Sequence, residues 1–121
     1  MKILLADDQP NVRSALRLLL EQEAGLSITA EASNCRELLA AMEENCPDLL
    51  LLDWELPGDT DVELIPTLRA KCPELVIIAL SSRPEARRAA LNAGAENFVS
   101  KGSTPPEVIA AVKKYQQPNK D

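Results

Sequence analysis

Short apolar runs separate longer amphipathic stretches along this chain. Solid blocks of apolar residues, without polar alternation, lie at 3–6, 49–52 and 75–80. Such blocks are typical of strands covered on both faces, as in a parallel sheet. Ser27–Ala32 alternates apolar and polar residues, which predicts an edge strand, and Asn97–Ser100 predicts a short fifth strand.

The stretches between these runs repeat apolar residues with helical spacing. Four of them begin their apolar stripes at Val12, Cys35, Leu64 and Val108. The stretch 84–93 differs, because its inward stripe consists of alanines: Ala86, Ala89, Ala90 and Ala93. Alanine buries little apolar area per turn, so we expect this helix to be held less firmly than its neighbours. The alternative is that the alanine face only permits close packing.

Four sequences of the form Asn/Ser/Thr-x-x-Glu predict capping boxes at helix starts. They are Asn34–Glu37, Thr60–Glu63, Ser82–Glu85 and Thr104–Glu107. Pro66 follows Thr60 by six residues, so that helix either begins later than the box suggests or bends at the proline. Alternating strands and helices predict an α/β fold in which right-handed crossovers place helices on both faces of one parallel sheet.

The amino-acid composition excludes several classes of function. The chain has 121 residues, enough for one domain, and 45% hydrophobic with 26% charged residues is typical of a globular protein. Its aromatic residues are Trp54, Phe98 and Tyr115, too few for a platform that stacks nucleic-acid bases. The net charge of −6 repels phosphate backbones, so we expect no direct contact with nucleic acid.

The chain contains no histidine, which excludes Ser-His-Asp and Cys-His catalysis and histidine metal sites. Cys35, Cys46 and Cys72 form no C-x-x-C motif, so we expect buried or reduced thiols of a cytoplasmic protein. The apolar run at the N-terminus is too short for a signal peptide, and no segment approaches a membrane span. We therefore expect no membrane association.

Chemically useful residues lie where the predicted strands end. Asp7 and Asp8 follow the first strand, Asp53 closes the third, Ser81 follows the fourth and Lys101 follows the fifth. In open α/β sheets, ligands bind beyond the carboxyl ends of the strands. The fold is therefore expected to bring these residues to one rim.

Clustered carboxylates repel one another unless a cation offsets their charge, and carboxylate oxygens suit Mg²⁺. An aspartate can also attack phosphorus. The residues therefore predict that Asp53 accepts a phosphoryl group, that Asp7 and Asp8 hold Mg²⁺, and that Lys101 and Ser81 bind phosphoryl oxygens. Taken singly, each residue also fits a helix cap, a turn or a solvated surface; their conjunction favours the site.

The ordered set of these fragments resembles the receiver domain of two-component response regulators. Residues 2–8 resemble the opening strand and acid pair of that family, and 47–58 resemble the segment around its phosphoacceptor. Residues 79–82 resemble the hydroxyl site, and 93–101 resemble the stretch with the switch aromatic and the lysine. The resemblance covers essentially the whole chain, with residues 1–115 as the receiver domain and 116–121 as a tail or the start of a linker.

The resemblance implies a three-layer (βα)5 doubly wound sheet with the flavodoxin-like strand order 2-1-3-4-5. It implies that Asp53 takes a phosphoryl group from the phosphohistidine of a sensor histidine kinase. Mg²⁺ would be held by Asp8, Asp53 and the backbone carbonyl of Glu55, with Asp7 acting through water. Ser81 and then Phe98 would act as the switch, reshaping the face built by the fourth helix, fifth strand and fifth helix, through which we expect any homodimer to form.

The sequence departs from the family at Gly102, which stands where a proline usually follows the lysine, and at Asp61-Val62, where Asp-Gly is common. Residues 100–103 resemble the branch whose receivers carry a C-terminal DNA-binding output domain of the LuxR type. We expect either the receiver of such a transcription regulator or a stand-alone receiver.

Glu55 and Arg83 each lie two residues past a site residue. They are candidates to pair across the mouth of the site and hinder attack by water on an aspartyl phosphate. The alternative is two solvated side chains whose pairing contributes less than about 1 kcal/mol.

Three rival functions are weaker. An Asp-nucleophile phosphohydrolase needs a substrate-enclosing cap, for which 121 residues leave no room. A nucleotide or flavin module needs a phosphate-binding glycine loop after the first strand, and the acid pair stands there instead. A degenerate receiver that acts only as a protein-interaction surface would not need the intact set of acids, hydroxyl and lysine.

Overall fold

Strands and helices alternate along the computed structural model, which describes residues 1–58 and 63–116. The described elements are β1 (Lys2–Ala6), α1 (Pro10–Glu21), β2 (Ser27–Ala32), α2 (Cys35–Glu44), β3 (Leu49–Asp53), α3 (Leu64–Lys71), β4 (Val76–Ser81), α4 (Ala86–Ala93), β5 (Asn97–Ser100) and α5 (Pro105–Lys113). Thr60 and Asp61-Val62, named above, lie outside the described residues.

The strands form one parallel sheet in the order β2-β1-β3-β4-β5, which confirms the expected α/β class and strand order. Every residue of β3 is buried, whereas β2 alternates buried and exposed positions, as an edge strand does. The chain order reverses beside β1, which pairs with both β2 and β3. The carboxyl ends of β1 and β3 are therefore neighbours, at the place where ligands bind in this architecture.

Alternate side chains of β3 supply two separate cores. Leu50 and Leu52 pack with residues of α2, α3 and α4 on one face. Leu49 and Leu51 pack with residues of α1 and α5 on the other. The molecule therefore has three layers, and the central strand is held from both sides by aliphatic packing.

The capping predictions had different outcomes. In α5 the full box forms, with the Thr104 hydroxyl accepting from Glu107 N and the Glu107 carboxylate accepting from Thr104 N. In α2 the Asn34 side chain caps the helix, but the Glu37 carboxylate accepts from Ser33 instead of Asn34. The predicted box at Ser82 is wrong, because α4 begins after Glu85 without a side-chain cap.

Pro66 is accommodated by a late helix start. Because α3 begins at Leu64, the proline lies in the first turn, where a backbone N–H has no partner within the helix. The first of the two alternatives for this helix is therefore correct.

Two of the four alanines predicted to face inward from α4 are buried. Ala86 and Ala90 are buried, but Ala89 and Ala93 are exposed. This helix consequently buries even less apolar area than its sequence suggested.

Two of the three cysteines contradict the expectation of reduced thiols. Cys46 and Cys72 form a disulfide, with Cα atoms 5.7 Å apart, whereas Cys35 is free and buried as expected. The sequence separation hides this contact because it arises from pairing between β3 and β4, whose preceding turns lie side by side. None of the described helices is long and apolar enough to cross a membrane.

Leu51 and Leu18 offer a matched test of the core. Leu51 is 1% exposed at the centre of the sheet, and Leu18 of α1 is 66% exposed. We expect Leu51→Ala to lower the free energy of unfolding by about 2–5 kcal/mol through lost burial and a residual cavity. Leu18→Ala should change it by less than about 0.5 kcal/mol. Urea unfolding measures both; equal losses would contradict the burial assigned to β3.

Candidate functional site

The polar residues singled out in the sequence converge at the carboxyl end of the sheet. Asp53 and Ser81 are the last residues of β3 and β4, and Asp7 and Lys101 directly follow β1 and β5. Backbone hydrogen bonds extend the strand pairing to the last two, since Asp7 N donates to Ala32 O and Lys101 N to Ser81 O. Regular sheet geometry thus positions four of the five side chains.

Three carboxylates meet at this rim. Asp7, Asp8 and Asp53 each offer an oxygen, and these oxygens lie within 4.8 Å of one another. Asp7 and Asp53 are buried, and Asp8 is exposed. The backbone N–H of Gln9 donates a hydrogen bond to Asp7 Oδ1 at 2.8 Å. The other, Oδ2, is buried and accepts no well-aligned hydrogen bond from the described part of the chain.

Among the described residues, Lys101 provides the ammonium that contacts the carboxylates of this cluster. Its Nζ lies 2.9 Å from Asp7 Oδ2 and 3.4 Å from Asp53 Oδ1, and it donates to the Gln9 side chain at 3.1 Å. Burial by itself lowers the pKa of Lys101, but the interactions with Asp7 and Asp53 outweigh it and leave this pKa raised. The side chain therefore stays an ammonium.

Burial raises the pKa of the Asp53 carboxyl above its ordinary value. The Glu55 backbone N–H, which donates to Asp53 Oδ1 at 3.0 Å, opposes that shift. The Asp7 charge adds to it, and Lys101 opposes it. One ammonium thus contacts two of the three acids, and the cluster fits a hard divalent cation such as Mg²⁺, for which carboxylate oxygens are suitable ligands.

Ser81 is buried and engaged away from the acidic cluster. Its hydroxyl donates to the Glu55 carboxylate, at 2.9 Å from Oε2, and accepts from Arg83 N at 3.0 Å. The Arg83 guanidinium Nε lies 3.6 Å from Glu55 Oε2. Glu55 therefore contacts both the hydroxyl and the arginine, and the first of these contacts was not anticipated from the sequence.

Gln9 is a second residue that sequence reasoning missed. Its backbone N–H donates to Asp7, and its side-chain oxygen accepts from Lys101. It therefore connects the acid pair to the lysine. Its position directly after the two acids was the available signal.

Phe98 lies in β5 with its ring buried, and the Arg87 guanidinium of α4 lies 5.8 Å from the ring centroid. At Gly102 the backbone N–H donates to Ser100 Oγ at 3.1 Å, a contact that a proline cannot make. This glycine therefore contributes to the shape of the loop after β5.

Comparison with known proteins points to one family. The family model for the response regulator receiver domain matches residues 3–113. The transcriptional activator protein ExaE of Pseudomonas putida is 35% identical over 116 residues, which cover 94% of this chain and 54% of that protein. A 14.6 kDa protein of Leptolyngbya boryana is 38% identical over 119 residues, covering 95% of this chain and 89% of that one.

Among solved structures, a two-component response regulator of the LuxR family from Aurantimonas is similar, with a TM-score of 0.82 and 31% identity. The alignment covers 93% of this chain and 82% of that one. The chain thus spans about half the length of the first of these relatives and most of the other two.

Trp54, the one tryptophan of the chain, lines a cavity with Asp53 and can report on cation binding. We expect Mg²⁺ to change Trp54 fluorescence saturably, and Asp8→Asn to weaken binding by at least tenfold, or about 1.4 kcal/mol, because it removes one charged ligand. The control is Asp48→Asn, which makes the same change at an exposed position before β3. Equal affinity in both variants would contradict a cation site at this rim.

Proposed function

Because this chain belongs to the response regulator receiver domain family, we propose that its Asp53 accepts a phosphoryl group from a sensor histidine kinase. Phosphotransfer is the function of this family, and its members are signalling domains instead of conventional enzymes. The observation that supports the assignment most strongly is the meeting of Asp7, Asp8 and Asp53 oxygens within 4.8 Å beside Lys101.

The acceptor chemistry follows from the contacts of Asp53. The backbone N–H of Glu55 and the Lys101 ammonium both lie at Oδ1, so we assign Oδ2 as the nucleophile. Oδ2 forms a bond to phosphorus as the P–N bond of the phosphohistidine breaks, and the electron pair of that bond leaves with the imidazole. The product is an aspartyl phosphate, and Lys101 would bind one of its oxygens.

The cation site belongs to the same proposal. Asp8, Asp53 and the backbone carbonyl of Glu55 would hold Mg²⁺, with Asp7 acting through water. When bound, the ion neutralises charge and aligns the phosphoryl oxygens. Lys101 and Gln9 keep the carboxylates of this cluster oriented.

Signalling requires Ser81 to change partners. Its hydroxyl donates to Glu55, and a phosphoryl oxygen on Asp53 would compete for the same proton. Phe98 would follow into the space that Ser81 vacates, leaving its contact with Arg87. The weakly packed α4 is then free to shift, and the face formed by α4, β5 and α5 changes shape.

Autodephosphorylation sets how long the aspartyl phosphate lasts. We assign Glu55 and Arg83 as modulators whose ion pair hinders the approach of water to the aspartyl phosphate. Because Glu55 also holds Ser81, its negative charge affects both the lifetime of the phosphate and the readiness of the switch.

The relatives indicate what kind of protein contains this domain. We propose that residues 1–115 form the receiver of a cytoplasmic transcription regulator, with 116–121 as a tail or the start of a linker to a DNA-binding output domain and α4, β5 and α5 as the homodimer face. ExaE, a transcriptional activator, and the LuxR-family neighbour support this assignment. The Leptolyngbya relative, of nearly the same length, favours a stand-alone receiver as the second candidate.

Labelling with a small acyl phosphate tests the acceptor. In the presence of Mg²⁺, intact mass should show one phosphoryl group on the wild type and on Asp48→Asn, and none on Asp53→Asn, which lacks the nucleophilic oxygen pair. Chelation of Mg²⁺ should abolish the label. Labelling of Asp53→Asn, or labelling that persists after Mg²⁺ is chelated, would contradict the assignment. Release of phosphate over many turnovers per chain would favour a phosphohydrolase.

Glu55 and Arg83 are tested by the lifetime of the phosphate. We expect Glu55→Gln and Arg83→Ala to shorten it by up to about fivefold, since an exposed ion pair contributes less than about 1 kcal/mol. Arg88→Ala, at another exposed arginine, is the matched control and should leave it unchanged. Decay of the label after removal of the phosphodonor measures all three; unchanged lifetimes in both test variants would discard the modulator role.

A further inference from the structure

The edge of the sheet opposite the acidic cluster carries a pair of cysteines in matching turns. Cys46-Pro47-Asp48-Leu49 leads from α2 into β3, and Cys72-Pro73-Glu74-Leu75 leads from α3 into β4. Since Leu49 pairs with Val76 in the sheet, the two turns run side by side. Their sulfur atoms are bonded, with Cα atoms 5.7 Å apart.

Contacts other than the bond hold these turns in register. Asp48 N donates to Lys2 O at 2.8 Å, and Val76 N donates to Asp48 O at 3.1 Å, which anchors the first turn between β1 and β4. The Lys71 ammonium lies 3.5 Å from the Glu43 carboxylate and joins the last turns of α3 and α2. Reduction therefore leaves the two thiols close together, and such proximity favours closure of the bond again.

The two bonded cysteines differ in exposure. Cys46 is exposed, whereas Cys72 is buried at the end of α3. A small thiol or disulfide can therefore reach Cys46, with Cys72 as the resolving partner. Cys35 is buried elsewhere, and burial raises the pKa of its thiol, so it stays protonated and unreactive.

We propose that Cys46 and Cys72 are a reversible redox-modification site, oxidised by low-molecular-weight disulfides through the exposed Cys46. The Cys46 thiolate attacks one sulfur of the small disulfide, forms a mixed disulfide and releases one small thiolate. The Cys72 thiolate then attacks the Cys46 sulfur and releases the second. Two electrons pass from the cysteines to the small disulfide, and the two protein protons end on the released thiols.

The bond closes a loop with a sequence separation of 26 residues that contains Asp53 and all of α3. Closing such a loop restricts the unfolded chain and stabilises the folded one. A reducing compartment keeps the pair as thiols, so oxidising conditions would stabilise this half of the domain. The site is separate from the acidic rim and does not depend on phosphorylation.

Equilibration of the full chain in buffers of varied reduced and oxidised glutathione tests the chemistry. After acid quenching, unfolding and alkylation, intact mass should show three reactive thiols at the reducing extreme. At the oxidising extreme only Cys35 should remain reactive. Three reactive thiols at every ratio, or glutathione retained on Cys46 while Cys72 stays reactive, would overturn the proposal.

Thermal unfolding tests the consequence. The oxidised chain should unfold roughly 5–15 °C above the reduced chain. Cys35→Ser should retain this difference, whereas Cys46→Ser and Cys72→Ser should each lose it. Because the comparison of oxidised and reduced wild type needs no substitution, an equal Tm in the two states overturns the stabilising role even if a variant fails to fold.

Discussion

Mutual repulsion among three carboxylates at one rim of the sheet is the constraint on which the site depends. Asp7 and Asp53 are buried, and burial raises the pKa of Asp53 because water no longer stabilises its charge. Lys101 offsets part of the negative charge, and a divalent cation would offset the rest. The aliphatic packing on both faces of β3 holds the acids together against this repulsion, so the acidic rim depends on the core.

The hydroxyl of Ser81 lies at the same rim as the acids but bonds to Glu55. Under the proposed function, a phosphoryl oxygen on Asp53 would replace Glu55 as the acceptor of this hydroxyl. The Phe98 ring is buried in β5, and the Arg87 guanidinium lies 5.8 Å from its centroid. The buried residues of α4 are Ala86 and Ala90, so this helix buries little apolar area.

The two edges of the sheet carry different chemistry. At the carboxyl ends of the strands, three carboxylates meet beside a lysine; at the amino ends of β3 and β4, two cysteines are bonded. The loop between Cys46 and Cys72 contains Asp53, so covalent closure at one edge restricts the unfolded states of the segment that carries this residue at the other.

The amino-acid sequence by itself determined the alternation of elements, the fully buried central strand, and the polar residues at the strand ends, because these depend on local periodicity and on solid apolar runs. Its resemblance to a family supplied the strand order. Only the tertiary structure decided that Pro66 lies in a first turn, that Ser81 donates to Glu55, that Gln9 joins Asp7 to Lys101, and that Cys46 meets Cys72. Each of these depends on where one element begins or on which elements become neighbours in space. Such distances are set by sheet pairing and helix packing, which no local pattern in the chain records.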